Sequence, residues 1–136
     1  MSGRRLDHEA ELAKALREFN SWRFYDCHET LEDVWREAGG KAMGKGLGQR
    51  DELADFYQGV IKVAAGFHHL FRGNYEGVMK VLGDAPRLLA PYRPRTAGVD
   101  VDGLLADVER ALTKLRDLGP ERMAEFDRAL VPVIRG

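Results

Sequence analysis

The stretch from Asp51 to Phe71 constrains the fold of this chain most strongly. Apolar side chains recur there at helical spacing and cover more than half of the circumference of the predicted helix, which leaves only a narrow strip for solvent. The pattern therefore predicts a central, buried helix. Gly59 and Gly66 lie on one side of it, where missing side chains would let another helix approach closely. The apolar positions are Leu53, Phe56, Tyr57, Val60, Ile61, Val63, Ala64, Phe67, Leu70 and Phe71.

The rest of the chain reads as further helices, and no segment is typical of a strand. Helices are predicted at residues 7–17, 23–37, 75–89 and 102–118, with a short final helix at 121–130. The residues available to cap these helices are Asp7, Asn20 or Ser21, Asn74 and Asp102, and Pro86 is expected to end or kink the helix that contains it. The fold class is all-α: residues 1–136 form a single multihelical domain of five or six helices arranged as packed helical hairpins.

Two connections stand out by composition. Residues 39–49 contain five glycines and predict a flexible loop, and the spacing of a phosphate-binding Walker loop is absent from them. Residues 90–101 contain two prolines and a glycine and predict an extended link, because proline biases the residue before it away from helix.

Bulk properties exclude several functional classes. The 136 residues carry 21 Lys and Arg against 22 Asp and Glu, so the net charge near −1 favours neither nucleic acid nor an anionic membrane as a partner. No apolar run reaches the roughly 18 residues that a membrane span needs. Cys27 is the single cysteine, which rules out an internal disulfide. We expect a cytoplasmic protein.

The segment from Cys27 to Trp35 concentrates the chemically distinctive side chains. On a helix, Glu32 falls about 40° from His28, while Trp35 and Leu31 lie within about 60° on the other side. The imidazole therefore sits between a carboxylate and an indole, at the polar edge of an apolar stripe. This arrangement predicts a pocket wall.

The spacing of His28 and Glu32 is one that can place two ligands on a single metal ion. A third ligand has to come from elsewhere, and His68 on the predicted 51–71 helix points toward the apolar side and could face His28. Two histidines and a glutamate with open positions would suit a hydrolytic Zn²⁺ or Mn²⁺ site between the 24–37 and 51–71 helices. Glu29 is the candidate general base. The remaining candidates for lining this pocket are Tyr25, Trp35, Gln58, Lys62, His69 and Asn74.

Other interpretations remain open. His28 could donate to Glu32 or to a backbone carbonyl as a structural pair, or the same side chains could bind an organic ligand without any metal. The chain would then be a non-enzymatic helical module that binds a peptide, a small molecule or a copy of itself. A homodimer is predicted if the apolar helix faces are not all covered within one chain. Cys27 lies in the apolar stripe and is expected to be an inert, buried thiol.

Four groups of residues carry a family resemblance. They are Asn20, Cys27-His28-Glu29-x-Leu31-Glu32-x-x-Trp35, Gly59-Val60-Ile61-x-x-Ala64-Ala65 and Arg72-Gly73-Asn74-x-x-Gly77. In order and spacing they resemble the signature of the domain of unknown function 309 family over residues 16–92. The resemblance implies an all-helical, cytoplasmic bacterial or archaeal protein and a metal-dependent hydrolase activity. One position departs from the family pattern, because Lys62 stands where the family usually has glutamine, and a cation there would oppose a bound metal ion.

Overall fold

The computed structural model describes residues 6–39 and 51–136, and these form an all-α domain. The five helices are α1 (His8–Asn20), α2 (Phe24–Glu37), α3 (Ala54–Phe71), α4 (Tyr75–Leu89) and α5 (Val101–Arg122). Two short strands, β1 (Arg95–Thr96) and β2 (Val99–Asp100), pair between α4 and α5, and 3₁₀ turns lie at Ala90–Tyr92, Met123–Glu125 and Arg128–Leu130. Apart from Gly39, the predicted glycine-rich loop at 39–49 lies outside the described residues.

Helix α3 is the centre of the domain, as its apolar pattern predicts. Eleven of its 18 residues are buried, and it packs against α2 on one side and α4 on the other. Helix α1 packs on α2, and α5 packs on α4, so consecutive helices form the expected hairpins. The apolar stripe predicted for α5 is also buried, with Leu104, Leu105, Val108, Leu112, Leu115 and Leu118 all in the core.

Two glycines set the separation of α3 and α4. A Cβ atom on Gly59 would lie 2.6 Å from the side chain of Leu89, and one on Gly66 would lie 2.8 Å from Cβ of Leu82. Real Cβ atoms do not approach other carbons this closely, so both glycines are needed for the helices to touch. The predicted role of these glycines in close packing is confirmed.

The N-terminal capping residues are the predicted ones at two helices and different ones at two others. Asp7 accepts a hydrogen bond from the amide of Ala10, and Asn74 accepts one from Gly77, as predicted. Asp100 caps α5 in place of the predicted Asp102, and accepts a hydrogen bond from the amide of Gly103. Asp102 instead pairs with Arg93.

Asn20 has a different role from the predicted cap of α2. It is the last residue of α1, and its amide group both donates to the backbone oxygen of Ile134 and accepts from the backbone nitrogen of the same residue. Helix α2 follows Arg23, which provides no side-chain cap. The partner of Asn20 lies 114 residues away, so local sequence rules could not have identified it.

The strand pairing was not predicted. Arg95 pairs with Asp100 and Thr96 with Val99, across a turn in which Ala97 and Gly98 both have positive φ. Two residues per strand are too few to produce an alternating pattern in a sequence. The predicted extended link is therefore a 3₁₀ turn followed by a miniature hairpin.

The C-terminal prediction is wrong in one respect. Helix α5 is interrupted at Gly119, whose φ of 70° is not helical, and the chain then runs to Arg122 before two 3₁₀ turns replace the expected 121–130 helix. Phe126 and Asp127 between those turns have extended backbone conformations, which prevents one continuous helix. Pro86, by contrast, neither ends nor interrupts α4, which continues to Leu89.

No helix among the described residues combines the length and the apolar character needed to cross a membrane. Within the described part of the chain, the exposed large hydrophobic side chains are Leu6, Trp22, Tyr25 and Val133. The homodimer predicted from uncovered helix faces therefore stays a prediction, and the buried stripes of α3 and α5 do not call for one.

Candidate functional site

Three side chains of α2 form the candidate metal-binding group. His28, Glu29 and Glu32 each offer a ligand atom, and these atoms all lie within 4.8 Å of one another. Consecutive residues of a helix are offset by about 100°, yet the side chain of Glu29 reaches the same surface as that of His28. His68, the predicted third ligand, is not part of this group. The described residues thus bring together one imidazole and two carboxylates from a single helix.

His28 makes no hydrogen bond with the described residues through either ring nitrogen. Its Nε2 atom lies 3.8 Å from Oε2 of Glu32, which is an ion-pair distance and too long for a hydrogen bond. Its Nδ1 atom is buried and has no partner in the described part of the chain. A structural His28–Glu32 pair would be expected to satisfy the imidazole, and this geometry does not.

Glu32 is oriented by Arg36, one helical turn away. The Arg36 guanidinium donates to Oε1 of Glu32 at 3.1 Å and lies 3.8 Å from a carboxylate oxygen of Asp33. The second oxygen of Glu32, Oε2, is the one that faces His28. Arg36 therefore fixes the carboxylate while leaving one oxygen available beside the imidazole.

A small pocket adjoins this group between α2 and α3. It has a volume of about 170 Å³ and is lined by Tyr25, His28, Ala65, His68 and His69. The Tyr25 ring is 6.1 Å from the His28 ring and 5.8 Å from the His68 ring, measured between centroids. Tyr25 is 56% exposed and forms the outer edge of the pocket. Histidines of α2 and α3 thus line the same pocket.

The environment of His68 favours a neutral imidazole. Partial burial lowers the pKa of His68 below its usual value of 6.5, and the positive charge of Arg72 and the neighbouring His69 and His28 lower it further. Neutral His68 keeps a lone pair on one ring nitrogen at neutral pH. It can therefore accept a proton or a hydrogen bond from a molecule in the pocket.

Asn74 sets the tautomer of a neutral His69 ring. The Asn74 side-chain oxygen accepts from the amide of Gly77, so its Nδ2 atom must be the donor to Nδ1 of His69, at 3.2 Å. With Nδ1 acting as an acceptor, the proton of a neutral His69 ring is on Nε2. Asn74 was predicted both as a cap and as a pocket residue, and it caps α4 while orienting a histidine that lines the pocket.

The other predicted pocket residues lie outside this lining. Lys62 points to α4, where its ammonium group is 3.5 Å from Asp84. Trp35 is half-buried against the core, and its Nε1 atom is buried without a partner among the described residues. Gln58 is half-buried on α3 and does not line the pocket.

Cys27 is buried in the core. Burial, helped by the negative charge of Glu18, raises the pKa of the thiol to about 12. Glu18 is itself buried and accepts a hydrogen bond from Thr30 at 2.8 Å. This Glu18–Thr30 pair was not predicted, because the two residues lie on different helices. The predicted burial of the thiol is confirmed, and its lack of reactivity stays a prediction.

Comparison with known proteins gives a family and no activity. Residues 12–81, more than half of the chain, match the family described as domain of unknown function (DUF309). The chain is also 30% identical over 108 residues to an uncharacterized protein of Aquifex aeolicus (strain VF5). That alignment covers 79% of this chain and 29% of the relative, so the chain spans less than a third of the relative's length. No solved structure matches. The family match, together with the helical fold, shows that the chain belongs to the DUF309 family.

Proposed function

We propose that this protein binds a divalent metal ion, Zn²⁺ or Mn²⁺, through His28, Glu29 and Glu32, and is a metal-dependent hydrolase. The observation that carries the proposal is the grouping of an imidazole nitrogen of His28 with two carboxylates, whose ligand atoms all lie within 4.8 Å of one another. The Nε2 atom of His28, which lies 3.8 Å from Glu32, makes no hydrogen bond with the described residues and is available to bind an ion.

The donor set fits such an ion. One imidazole nitrogen and two carboxylate oxygens are ligands that Zn²⁺ and Mn²⁺ both accept, at bond lengths of about 2.0 to 2.2 Å. Two such ligands lie no more than about 4.4 Å apart on one ion. His28 and Glu32, at 3.8 Å, already meet this limit, and Glu29 is exposed and free to rotate by the few tenths of an ångström that remain.

Lys62 does not oppose a cation at this site. Its ammonium group is engaged by Asp84 on α4, and it does not line the pocket. The departure from the family pattern is therefore compatible with a metal ion. Replacing Lys62 by glutamine should change the metal affinity by less than about threefold, since the charge is already screened by its partner.

The residues of the pocket would assist hydrolysis in separate ways. A bound Zn²⁺ or Mn²⁺ ion supplies Lewis acidity and lowers the pKa of a water molecule. Neutral His68 lines the same pocket as His28 and would accept a proton there, which is the base role first considered for Glu29. The Nε2–H group of His69 is a candidate hydrogen-bond donor to the substrate. Tyr25, at the outer edge of the pocket, would cover part of the bound substrate. The volume of about 170 Å³ suits a small substrate group.

Metal binding is tested first by titrating the dialysed, untagged protein with Zn²⁺ and Mn²⁺ in a calorimeter. We expect one site per chain, and at least tenfold weaker binding in His28→Ala and Glu32→Gln. His8→Ala is the matched control, because His8 also lies on a helix beside a glutamate, Glu37, at 2.8 Å, but outside the group. Equal affinity in the wild type and in His28→Ala would refute the metal site.

Hydrolysis is then measured on metal-loaded protein with p-nitrophenyl ester and phosphate substrates. His68→Gln should lower the rate by at least about a hundredfold while leaving the metal affinity within about threefold. Stoichiometric metal binding without any hydrolysis would support the metal site and refute the hydrolase activity.

A non-enzymatic binding module is the second candidate, favoured by Tyr25. A tyrosine that is 56% exposed beside a pocket is typical of a contact residue for a peptide or small ligand. Under this alternative, a ligand would bind the metal-free protein, and Tyr25→Ala would weaken the binding of that ligand. Sedimentation of the purified chain would separately test the homodimer.

A further inference from the structure

A second pocket lies beside the Phe71 ring. It has a volume of about 400 Å³ and forms where the end of α3, the turn before α4 and the interrupted end of α5 meet. The interruption at Gly119 and Pro120 creates the space, because the chain turns away there and does not continue the helical path. None of the residues proposed to bind metal lines it.

Apolar side chains form one part of the wall, and polar groups, including those of Glu121 and Arg128, form the rest. Leu70, Met123 and Phe126 are buried core residues that also line the pocket, and Phe71 is half-buried. The volume lies in the range of small-molecule sites, which combine apolar walls with a few polar groups.

Arg128 provides a positive charge at a defined position in this pocket. Its guanidinium carbon lies 4.3 Å from the centroid of the Phe71 ring. The Phe71 ring makes edge-to-face contacts with two further rings. Its centroid lies 5.1 Å from that of Trp22 and 5.3 Å from that of Phe24. The guanidinium thus rests on a ring that is fixed by the core.

The donors of Arg128 have no acidic partner within the described ranges. No carboxylate of residues 6–39 or 51–136 lies within ion-pair distance of Arg128, although six other arginines of these ranges form such pairs. A planar guanidinium with free donors binds a carboxylate through two parallel hydrogen bonds.

Glu121 limits the charge of a ligand. It also lines the pocket, and its Oε1 atom lies 3.6 Å from the position that a Cβ atom on Gly119 would take, which places the carboxylate over the interruption in α5. A ligand with several negative charges would be repelled by Glu121, whereas a single carboxylate at Arg128 would not need to approach it.

We propose that this pocket binds a small organic acid, with one carboxylate paired to Arg128 and an apolar or aromatic body packed among Leu70, Met123 and Phe126. The proposal is independent of the metal site, since it uses different residues on a different face of α3.

Phenylpropionate is the probe, and its uncharged amide is the matched control ligand. We expect saturable shifts in the amide NMR signals of Phe71, Gly73 and Ala124, with a dissociation constant on the order of 1 mM or tighter. The amide should bind at least tenfold more weakly, because it lacks the charge that Arg128 recognises.

Three variants decide between this site and non-specific binding. Arg128→Gln should weaken phenylpropionate at least tenfold, and Ala124→Trp, which fills the pocket, should abolish the shifts in a protein with an otherwise native spectrum. Arg116→Gln removes an exposed arginine of α5 outside the pocket and should have no effect. Unsaturable shifts, equal binding of acid and amide, or an unchanged affinity in Arg128→Gln would each overturn the proposal.

Discussion

Asn74 joins the start of α4 to the end of α3 by donating from Nδ2 to Nδ1 of His69 across 3.2 Å. The same side chain caps α4 through the amide of Gly77. One asparagine therefore begins a helix and sets the tautomer of a pocket histidine. Gly77 makes both contacts sterically possible, because a Cβ atom there would lie 2.6 Å from Nδ2 of Asn74 and 2.8 Å from Cγ of His69.

The first prediction concerns that glycine. Gly77→Ala should destabilise the protein by about 1 to 3 kcal/mol, because the added methyl group displaces the cap and the histidine together. Gly83→Ala in the same helix is the matched control: nothing lies within 4 Å of its added Cβ atom, so it should stabilise the helix by roughly 0.5 to 1 kcal/mol. Urea unfolding of both variants measures the difference, and destabilisation of equal size in the two would contradict the steric explanation.

The second prediction concerns the contact between the two ends of the chain. Asn20→Ala removes both hydrogen bonds to the backbone of Ile134 and should lower the free energy of unfolding by roughly 1 to 3 kcal/mol. Amide hydrogen exchange at Ile134 should become faster than in the wild type. Ser21→Ala, at the next, exposed position, should leave the exchange rate unchanged. Unaltered protection of Ile134 in Asn20→Ala would show that the hydrogen bonds do not hold the C-terminal segment.

The third prediction is that Cys27 does not react in the folded protein. With a pKa of about 12, the thiolate fraction at pH 8 is on the order of one in ten thousand, and burial blocks access to the sulfur. Ellman's reagent should therefore label the protein only after it is unfolded in urea. Because Cys27 is the single cysteine, all labelling is assigned to it. Rapid labelling under native conditions would contradict the buried position.

The fourth prediction concerns the pH dependence of stability that arises from Asp84. A hydrogen bond and the charge of Arg87, with a contribution from Lys62, lower the pKa of Asp84 in the folded protein. A carboxyl group whose folded pKa is lowered stabilises the protein above its unfolded pKa of 3.8, and this contribution is lost as the pH falls through the folded pKa. Asp84→Asn should thus be less stable than the wild type at pH 7, by under about 1 kcal/mol for a partly exposed pair, and the difference should vanish in acid.

Unfolding midpoints between pH 7 and pH 2 measure this effect. Glu109→Gln is the control, because Glu109 is exposed and lies within ion-pair distance of no cation in residues 6–39 and 51–136. If the unfolding midpoints of the wild type and Asp84→Asn differ by the same amount over the whole pH range, the destabilisation by this substitution is not electrostatic.

The candidate site was only partly predictable. The spacing of His28 and Glu32 indicated a shared face because both lie one turn apart on the same helix, and the pocket with His68 followed from the apolar side of α3. The approach of Glu29 to His28 depends on side-chain rotation, which helical angles do not describe. The engagement of Lys62 by Asp84 joins two helices and could not be read from either one alone.

The sequence alone determined the helical class, the central place of α3 and the close approach at Gly59 and Gly66, because each depends on a local period or on a missing side chain. Only the tertiary structure decided that Asn20 binds Ile134, that Asn74 orients His69, and that Arg128 rests on Phe71. Each of these contacts depends on how separate segments pack in space, and local patterns carry no information on that packing.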